Sequence, residues 1–145
     1  MGQPGQLMSY EQTTHCPYLQ AVIYEALRLH PVAPGTLQRE VPEGGLQAAG
    51  YFVPPGVVVG TPAWVINRLP EIWGDEPDAF RPERWLDEGR KREMLKYLFA
   101  FGGGTRSCLG KNLSLMAASK LILNLLLRFQ LEPSKLVSEW TVTGQ

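Results

Sequence analysis

The placement of proline limits where this chain can form long helices. Six of its twelve prolines lie in one stretch that runs from Pro31 to Pro62. Proline lacks a backbone N–H and its ring clashes with the preceding helical turn, so this stretch cannot be a helix. Within it, Gly50–Val59 predicts a β-hairpin, because Pro55-Gly56 suits the central positions of a type II turn.

Helical periodicity is found on both sides of the proline-rich stretch. Apolar residues from Leu19 to Leu27 recur at helical spacing, which predicts a helix that begins near Pro17 and stops at Pro31. Leu113–Leu127 is apolar on almost every side, which predicts a buried helix. The weaker predictions are a loose lead-in over Met1–Thr14, a short helix within Thr61–Asn67, an irregular segment over Pro70–Asp87, an ambiguous segment over Lys91–Ala100 and weak strand character over Phe129–Val142. The predicted fold class is mainly α with small β elements (α+β).

Composition and charge exclude several classes of protein. The chain has 14 basic and 14 acidic residues and no segregated basic patch, so we expect no nucleic-acid partner. A hydrophobic content of 44% with 19% charged residues excludes a disordered chain. The longest strongly apolar stretch, Leu121–Leu127, is too short to cross a bilayer, so we expect no membrane segment in this chain. Cys16 and Cys108 follow no secretory signal, which favours free thiols.

The segment that carries most chemical information is Phe101–Lys111. It holds four glycines and places Cys108 between a glycine-rich loop and a predicted helix. The unpaired N–H groups and the dipole of a helix N-terminus favour the thiolate form of such a cysteine. A thiolate is a nucleophile or a metal ligand, and glycines let the backbone approach something flat or bulky.

Other interpretations of the same loop stay open at this point. A lone cysteine is often a small buried hydrophobic residue. A phosphate-binding loop fits poorly, because Thr105 stands where its first glycine belongs and Asn112 stands where Ser or Thr belongs. A cysteine nucleophile would need a histidine partner, and neither His15 nor His30 lies in a matching local signature. A zinc site would need nearly all of Cys16, Cys108, His15 and His30, and no paired ligand spacing surrounds Cys108.

The spacing within the loop resembles a known signature. The pattern Phe101-x-x-Gly104-x-Arg106-x-Cys108-x-Gly110 is similar to the haem-binding signature of the cytochrome P-450 family. The resemblance implies that Cys108 is the axial ligand of the haem iron and that haem b (iron protoporphyrin IX) is the cofactor. It further implies that Phe101 packs on the sulfur side and that Gly104 and Gly110 give the macrocycle room.

Two more motifs resemble the same family and occur in the family order. Glu25-Ala26-Leu27-Arg28 resembles its Glu-x-x-Arg helix, and Phe80-Arg81-Pro82-Glu83-Arg84-Trp85 resembles its Pro-Glu-Arg-aromatic element. The resemblance implies a buried structural charge cluster of Glu25, Arg28 and Arg84. An isolated surface ion pair is the simpler alternative for Glu25 and Arg28, because residues three apart share a helix face.

The resemblance also implies cationic partners for the haem propionates. Arg106 would meet one propionate, since a guanidinium matches a carboxylate well. Arg39 falls where the family often places a second partner, although a solvated loop charge is the alternative.

What the family does gives the expected function. The resemblance implies a haem-binding, iron-dependent monooxygenase that uses O2, a small organic substrate and an NADPH-dependent reductase. For a full-length member of fungal type, which the resemblance favours, it implies the cytosolic side of the endoplasmic reticulum membrane. The family's oxygen-activating helix and most of its distal pocket have no counterpart in these residues. We therefore expect 1–145 to be an incomplete domain, the C-terminal haem-ligating portion from the Glu-x-x-Arg helix to the helix after the cysteine loop. We assign no catalytic residue within it. The alternatives are a truncated, inactive remnant that binds haem weakly or not at all, and a plain α+β domain with a structural cysteine.

Overall fold

The structure is a computed structural model and describes residues 7–132. Its fold is mainly α with two small sheets, as the sequence predicts. The helices are α1 (Tyr10–Thr14), α2 (Pro17–Leu29), α3 (Ala63–Ile66), α4 (Pro70–Trp73), α5 (Glu88–Tyr97) and α6 (Lys111–Arg128). The strands are β1 (Thr36–Glu40), β2 (Leu46–Ala48), β3 (Tyr51–Val53) and β4 (Val58–Pro62). Single turns of 3₁₀ helix cover Pro82–Trp85, Phe99–Phe101 and Gly104–Arg106.

Helices α1 and α2 each begin at residues that favour a helix N-terminus. Pro17 occupies the first turn of α2, and the helix ends at Leu29, just before Pro31, as predicted. The lead-in prediction is wrong for α1, because Ser9 and Gln12 form a reciprocal capping box that starts a helix of one turn. The capping box is a local signal, and a helix of one turn is too short to show a hydrophobic period.

The predicted hairpin over Gly50–Val59 is also wrong, although its turn exists. The Val57 amide donates to the Pro54 carbonyl at 3.4 Å, and Gly56 has φ +79°, as a type II turn requires. The strands on its two sides pair elsewhere: β1 with β4 and β2 with β3, both antiparallel. Val41 decides this, because it donates to the Val57 carbonyl and accepts from the Gly56 amide, both at 2.9 Å.

The core lies between α2, α4, α5 and the turn over Pro82–Trp85. Ala21, Trp73, Trp85, Met94 and Leu98 are buried there. The rings of Trp73 and Trp85 lie 5.7 Å apart between centroids, a distance at which aromatic pairs attract beyond simple burial. The segment predicted as irregular thus contains α4 and a 3₁₀ turn. The ambiguous segment, Lys91–Ala100, holds the C-terminal part of α5 and the start of the turn over Phe99–Phe101.

Helix α6 occupies the predicted position but is not buried as predicted. Only Leu115 and Ser119 are buried, on the face that meets α1 and α2, where the Gln20 side chain donates to Ser119 Oγ at 3.1 Å. Leu121 and Leu127 are 61% and 62% exposed. The described residues Phe129–Glu132 form no strand, and the rest of the predicted strand lies outside the described residues.

Candidate functional site

A buried charge cluster holds the turn over Pro82–Trp85 against helix α2. Glu25 and Arg28 lie one turn apart on α2 and form a bidentate pair, with Arg28 Nη2 and Nε 2.8 and 2.9 Å from the two carboxylate oxygens. Glu25 also accepts from the Arg81 amide at 2.9 Å, from Arg84 Nε at 3.0 Å and from the Trp85 indole at 2.9 Å. The structure therefore brings Glu25, Arg28 and Arg84 together in the interior.

Backbone carbonyls complete the cluster, which has two cations for one carboxylate. Arg28 donates to the carbonyls of Asn67, Pro77 and Ala79, and Arg84 donates to the carbonyl of Trp73. Burial alone would raise the pKa of Glu25, but the hydrogen bonds from Arg28, the Arg81 amide and Trp85 hold that pKa below its usual value. Burial lowers the pKa of Arg84, and the Glu25 carboxylate opposes that shift.

The cysteine loop is held by its own backbone. After the turn over Phe99–Phe101, the chain passes through Gly102 at φ +68° and then turns back. The Cys108 amide donates to the Phe101 carbonyl at 2.9 Å, which closes the loop two residues before the Gly110 N-cap of α6. The Cys108 side chain is a free, exposed thiol.

Four of the predicted cofactor residues line one pocket of about 380 Å³: Cys108, Arg106, Arg39 and Phe101. Arg39 reaches it from β1, which pairs with β4, while the other three come from the cysteine loop. The remaining wall is mostly apolar and comes from Leu27, Val32, Ala33, Leu37, Phe99 and Ala100, with Gly102 and Ser114. The pocket thus brings one cysteine and two arginines together with a mostly apolar wall.

The two predicted glycines lie beside this pocket rather than in its wall. Gly104 has φ +64°, a conformation that other residues adopt at a cost, and a Cβ there would meet nothing within 4 Å. A Cβ on Gly110 would lie 3.7 Å from Cys108 Sγ, so this position faces the sulfur. Gly102, which the sequence argument did not single out, lines the pocket and needs the left-handed conformation.

Asn67 is the other residue that sequence reasoning missed. It is buried, and it contacts both the charge cluster and the first residue of the turn that precedes the cysteine loop, Phe99. An isolated polar residue at the end of a four-residue helix carries no motif. Its only sequence signal is its place after an apolar turn.

The chemistry of the pocket matches an anionic, flat cofactor with a metal centre. A thiolate is a metal ligand, and guanidinium groups pair with carboxylates in a bidentate geometry. Aliphatic and aromatic side chains provide the surface that a macrocycle would cover. The residues present therefore fit a haem with its two propionates.

Comparisons with known proteins agree with this chemistry. A family model described as Cytochrome P450 matches residues 2–145. A pisatin demethylase of Fusarium vanettenii is 46% identical over 125 residues, which are 86% of this chain and 24% of the relative. Cytochrome P450 monooxygenase hepC of Aspergillus oryzae is 41% identical over 143 residues, which are 96% of this chain and 28% of the relative. The chain thus spans about a quarter of the length of these fungal relatives. No helix among residues 7–132 is long and apolar enough to cross a membrane.

Proposed function

This chain belongs to the cytochrome P450 family and resembles its fungal members, and we propose that it is the haem-ligating portion of a monooxygenase. The observation that carries the proposal is the pocket in which Cys108, Arg106 and Arg39 meet over an apolar wall. A thiol with two nearby guanidinium groups matches the iron and the two propionates of haem b.

Each residue has a distinct part in the proposed site. Cys108 would bind the iron through its sulfur, and the hydrogen bond from its backbone amide to the Phe101 carbonyl holds the backbone of Cys108 in place. Arg106 and Arg39, which both line the pocket, would pair with the propionates. Phe101, which lines the same pocket, would pack on the sulfur side. When bound, haem supplies the redox chemistry of oxygen activation, and thiolate ligation favours O–O cleavage.

The rest of the proposal concerns the longer protein to which such a segment corresponds. Residues 1–145 form the C-terminal portion of the P450 domain. The activity is insertion of one oxygen atom from O2 into a small organic substrate, with electrons from an NADPH-dependent reductase. Its location is the cytosolic side of the endoplasmic reticulum membrane. The buried cluster of Glu25, Arg28 and Arg84 has no contact with the pocket and fixes the architecture that carries it.

A second candidate is a catalytically inactive chain that binds haem weakly or not at all. The exposure of Cys108 and of the apolar side of α6 favours it, because haem would then be open to water on one side. An exposed apolar face of this kind promotes self-association.

One spectrum separates the two candidates. Haem is added to the purified chain, reduced and exposed to CO, and the absorption band is recorded. The proposal predicts the band position of thiolate ligation. It also predicts that this band is lost in Cys108→Ser and kept in Cys16→Ser, which removes the other thiol. Absence of haem uptake by the unmodified chain would favour the inactive candidate.

A further inference from the structure

Asn67 connects the two parts of the site that the sequence motifs describe separately. It caps the C-terminus of α3, where its amide donates to the Ala63 carbonyl at 3.0 Å, and it is buried. On one side, its own backbone carbonyl accepts from Arg28 Nη1 at 2.8 Å. On the other side, its side-chain Oδ1 accepts from the Phe99 amide at 3.0 Å.

The bond to Phe99 reaches Cys108 through the backbone of the loop. Phe99 begins the 3₁₀ turn, and its carbonyl accepts from the Gly102 amide at 3.1 Å. At the end of the same turn, the Phe101 carbonyl accepts from the Cys108 amide at 2.9 Å. A short run of hydrogen bonds therefore leads from Glu25 and Arg28, through Asn67, to the loop that holds the thiol.

In the side-chain carboxamide of Asn67, the oxygen is hydrogen-bonded within the described part of the chain and the nitrogen is not. Oδ1 must face Phe99, because an amide N–H needs an acceptor. Nδ2 is buried and has no hydrogen-bond partner among residues 7–132. Burying an unpaired NH2 group is unfavourable, so the acceptor contact is what this side chain contributes to the described structure.

We infer that Asn67 is a positioning residue, which fixes the Cys108 thiol relative to the buried charge cluster by accepting the Phe99 amide. It does not touch the thiol and does not itself line the pocket; its contact on this side is with the backbone of Phe99, one of the wall residues. The inference rests on the proposed function, because the position of the thiol is important for function only if the thiol binds a metal. Its structural content is independent of any cofactor.

The test compares one substitution that removes the acceptor with one that keeps it. Asn67→Leu has a similar size and removes the acceptor. Asn67→Asp keeps an acceptor oxygen toward Phe99 and replaces the unpaired Nδ2 with a second oxygen, so it also introduces an ionisable carboxyl. Thr13→Val is the matched control, because it removes a buried side-chain hydrogen bond, from Thr13 Oγ1 to the Tyr10 carbonyl, in a different part of the fold.

The first readout is amide hydrogen exchange in the chain without haem. We expect Asn67→Leu to accelerate exchange at Phe99 and Cys108 about tenfold relative to the amides of α2, the effect of losing about one hydrogen bond. Asn67→Asp should stay within about threefold of the unmodified chain, and Thr13→Val should show no selective change at these amides. Equal acceleration of the loop and α2 in Asn67→Leu, or the same loop change in Asn67→Asp, would overturn the inference.

The second readout is the CO spectrum after haem addition. We expect Asn67→Leu to lower the fraction of haem that shows thiolate ligation, and Asn67→Asp to restore most of it. If the unmodified chain gives no thiolate band while the exchange pattern is as expected, the proposed function fails and the positioning of the loop stands. If the unmodified chain gives the band and Asn67→Leu leaves both readouts unchanged, the inference fails and the proposed function stands.

Discussion

Replacing Glu25 with glutamine removes the single anion from a buried cluster that contains two guanidinium groups. The side chain keeps its size, so the change acts through charge and hydrogen bonding. Glu25 accepts five hydrogen bonds through two oxygens, and its partners include Arg28 and Arg84. Removing one member of a buried ion pair strands the other charge and costs about 3–5 kcal/mol.

This loss of unfolding free energy can be measured as a shift in the urea midpoint of unfolding. With a urea slope of about 2 kcal/mol per M, a loss of about 3–5 kcal/mol lowers the unfolding midpoint by about 1.5–2.5 M. The midpoint is followed by circular dichroism at helical wavelengths, because Trp85 contacts Glu25 and its fluorescence would change locally.

The matched control is Glu93→Gln, which breaks an exposed pair with Lys96. The two side chains are 65% and 62% exposed. Exposed pairs contribute little to stability because solvent screens them, so this midpoint should move by less than about 0.5 M. If Glu25→Gln and Glu93→Gln lower the midpoint equally, the cluster does not stabilise the fold in the way described here.

Three further outcomes follow from the same structure. The pKa of Glu25 is lowered from its ordinary 4.5, so its contribution to stability is complete above pH 4.5 and is lost as the pH falls through the pKa of the folded state. The urea midpoint measured against pH should show this loss in the unmodified chain and less of it in Glu25→Gln. Gly60→Ala places a methyl group against β1 and should cost about 1–3 kcal/mol in thermal unfolding, whereas Gly35→Ala, with open space around the new methyl, should change stability by less than about 0.5 kcal/mol. Arg106→Gln should raise the haem dissociation constant about tenfold in an absorbance titration, because it removes a charged hydrogen-bond donor, and equal weakening by Arg92→Gln on α5 would contradict a specific propionate contact.

Local signals in the sequence were sufficient where the structure itself is local. Helix α2 follows from the apolar period and from Pro17 and Pro31, and the Pro55-Gly56 turn follows from the conformations that these residues favour. The family resemblance placed Arg39 beside a loop some seventy residues further on, and the structure brings both to one pocket.

Pairing and burial depend on distant partners and could not be predicted from local patterns. The hairpin was predicted from neighbouring strands, but Val41 supplies the hydrogen bonds that direct β4 to β1. The composition of α6 predicts burial, yet only the side that meets α1 and α2 is covered. The role of Asn67 could not be predicted for the same reason, because it depends on two contacts with different parts of the chain.

The central claim is that Cys108 ligates haem iron, and X-ray absorption at the iron edge tests it most directly. The haem-loaded chain should show a sulfur atom in the first coordination shell of the iron. That sulfur should be absent from Cys108→Ser and present in Cys16→Ser. A first shell that contains only nitrogen and oxygen in the unmodified, haem-loaded chain would contradict the claim.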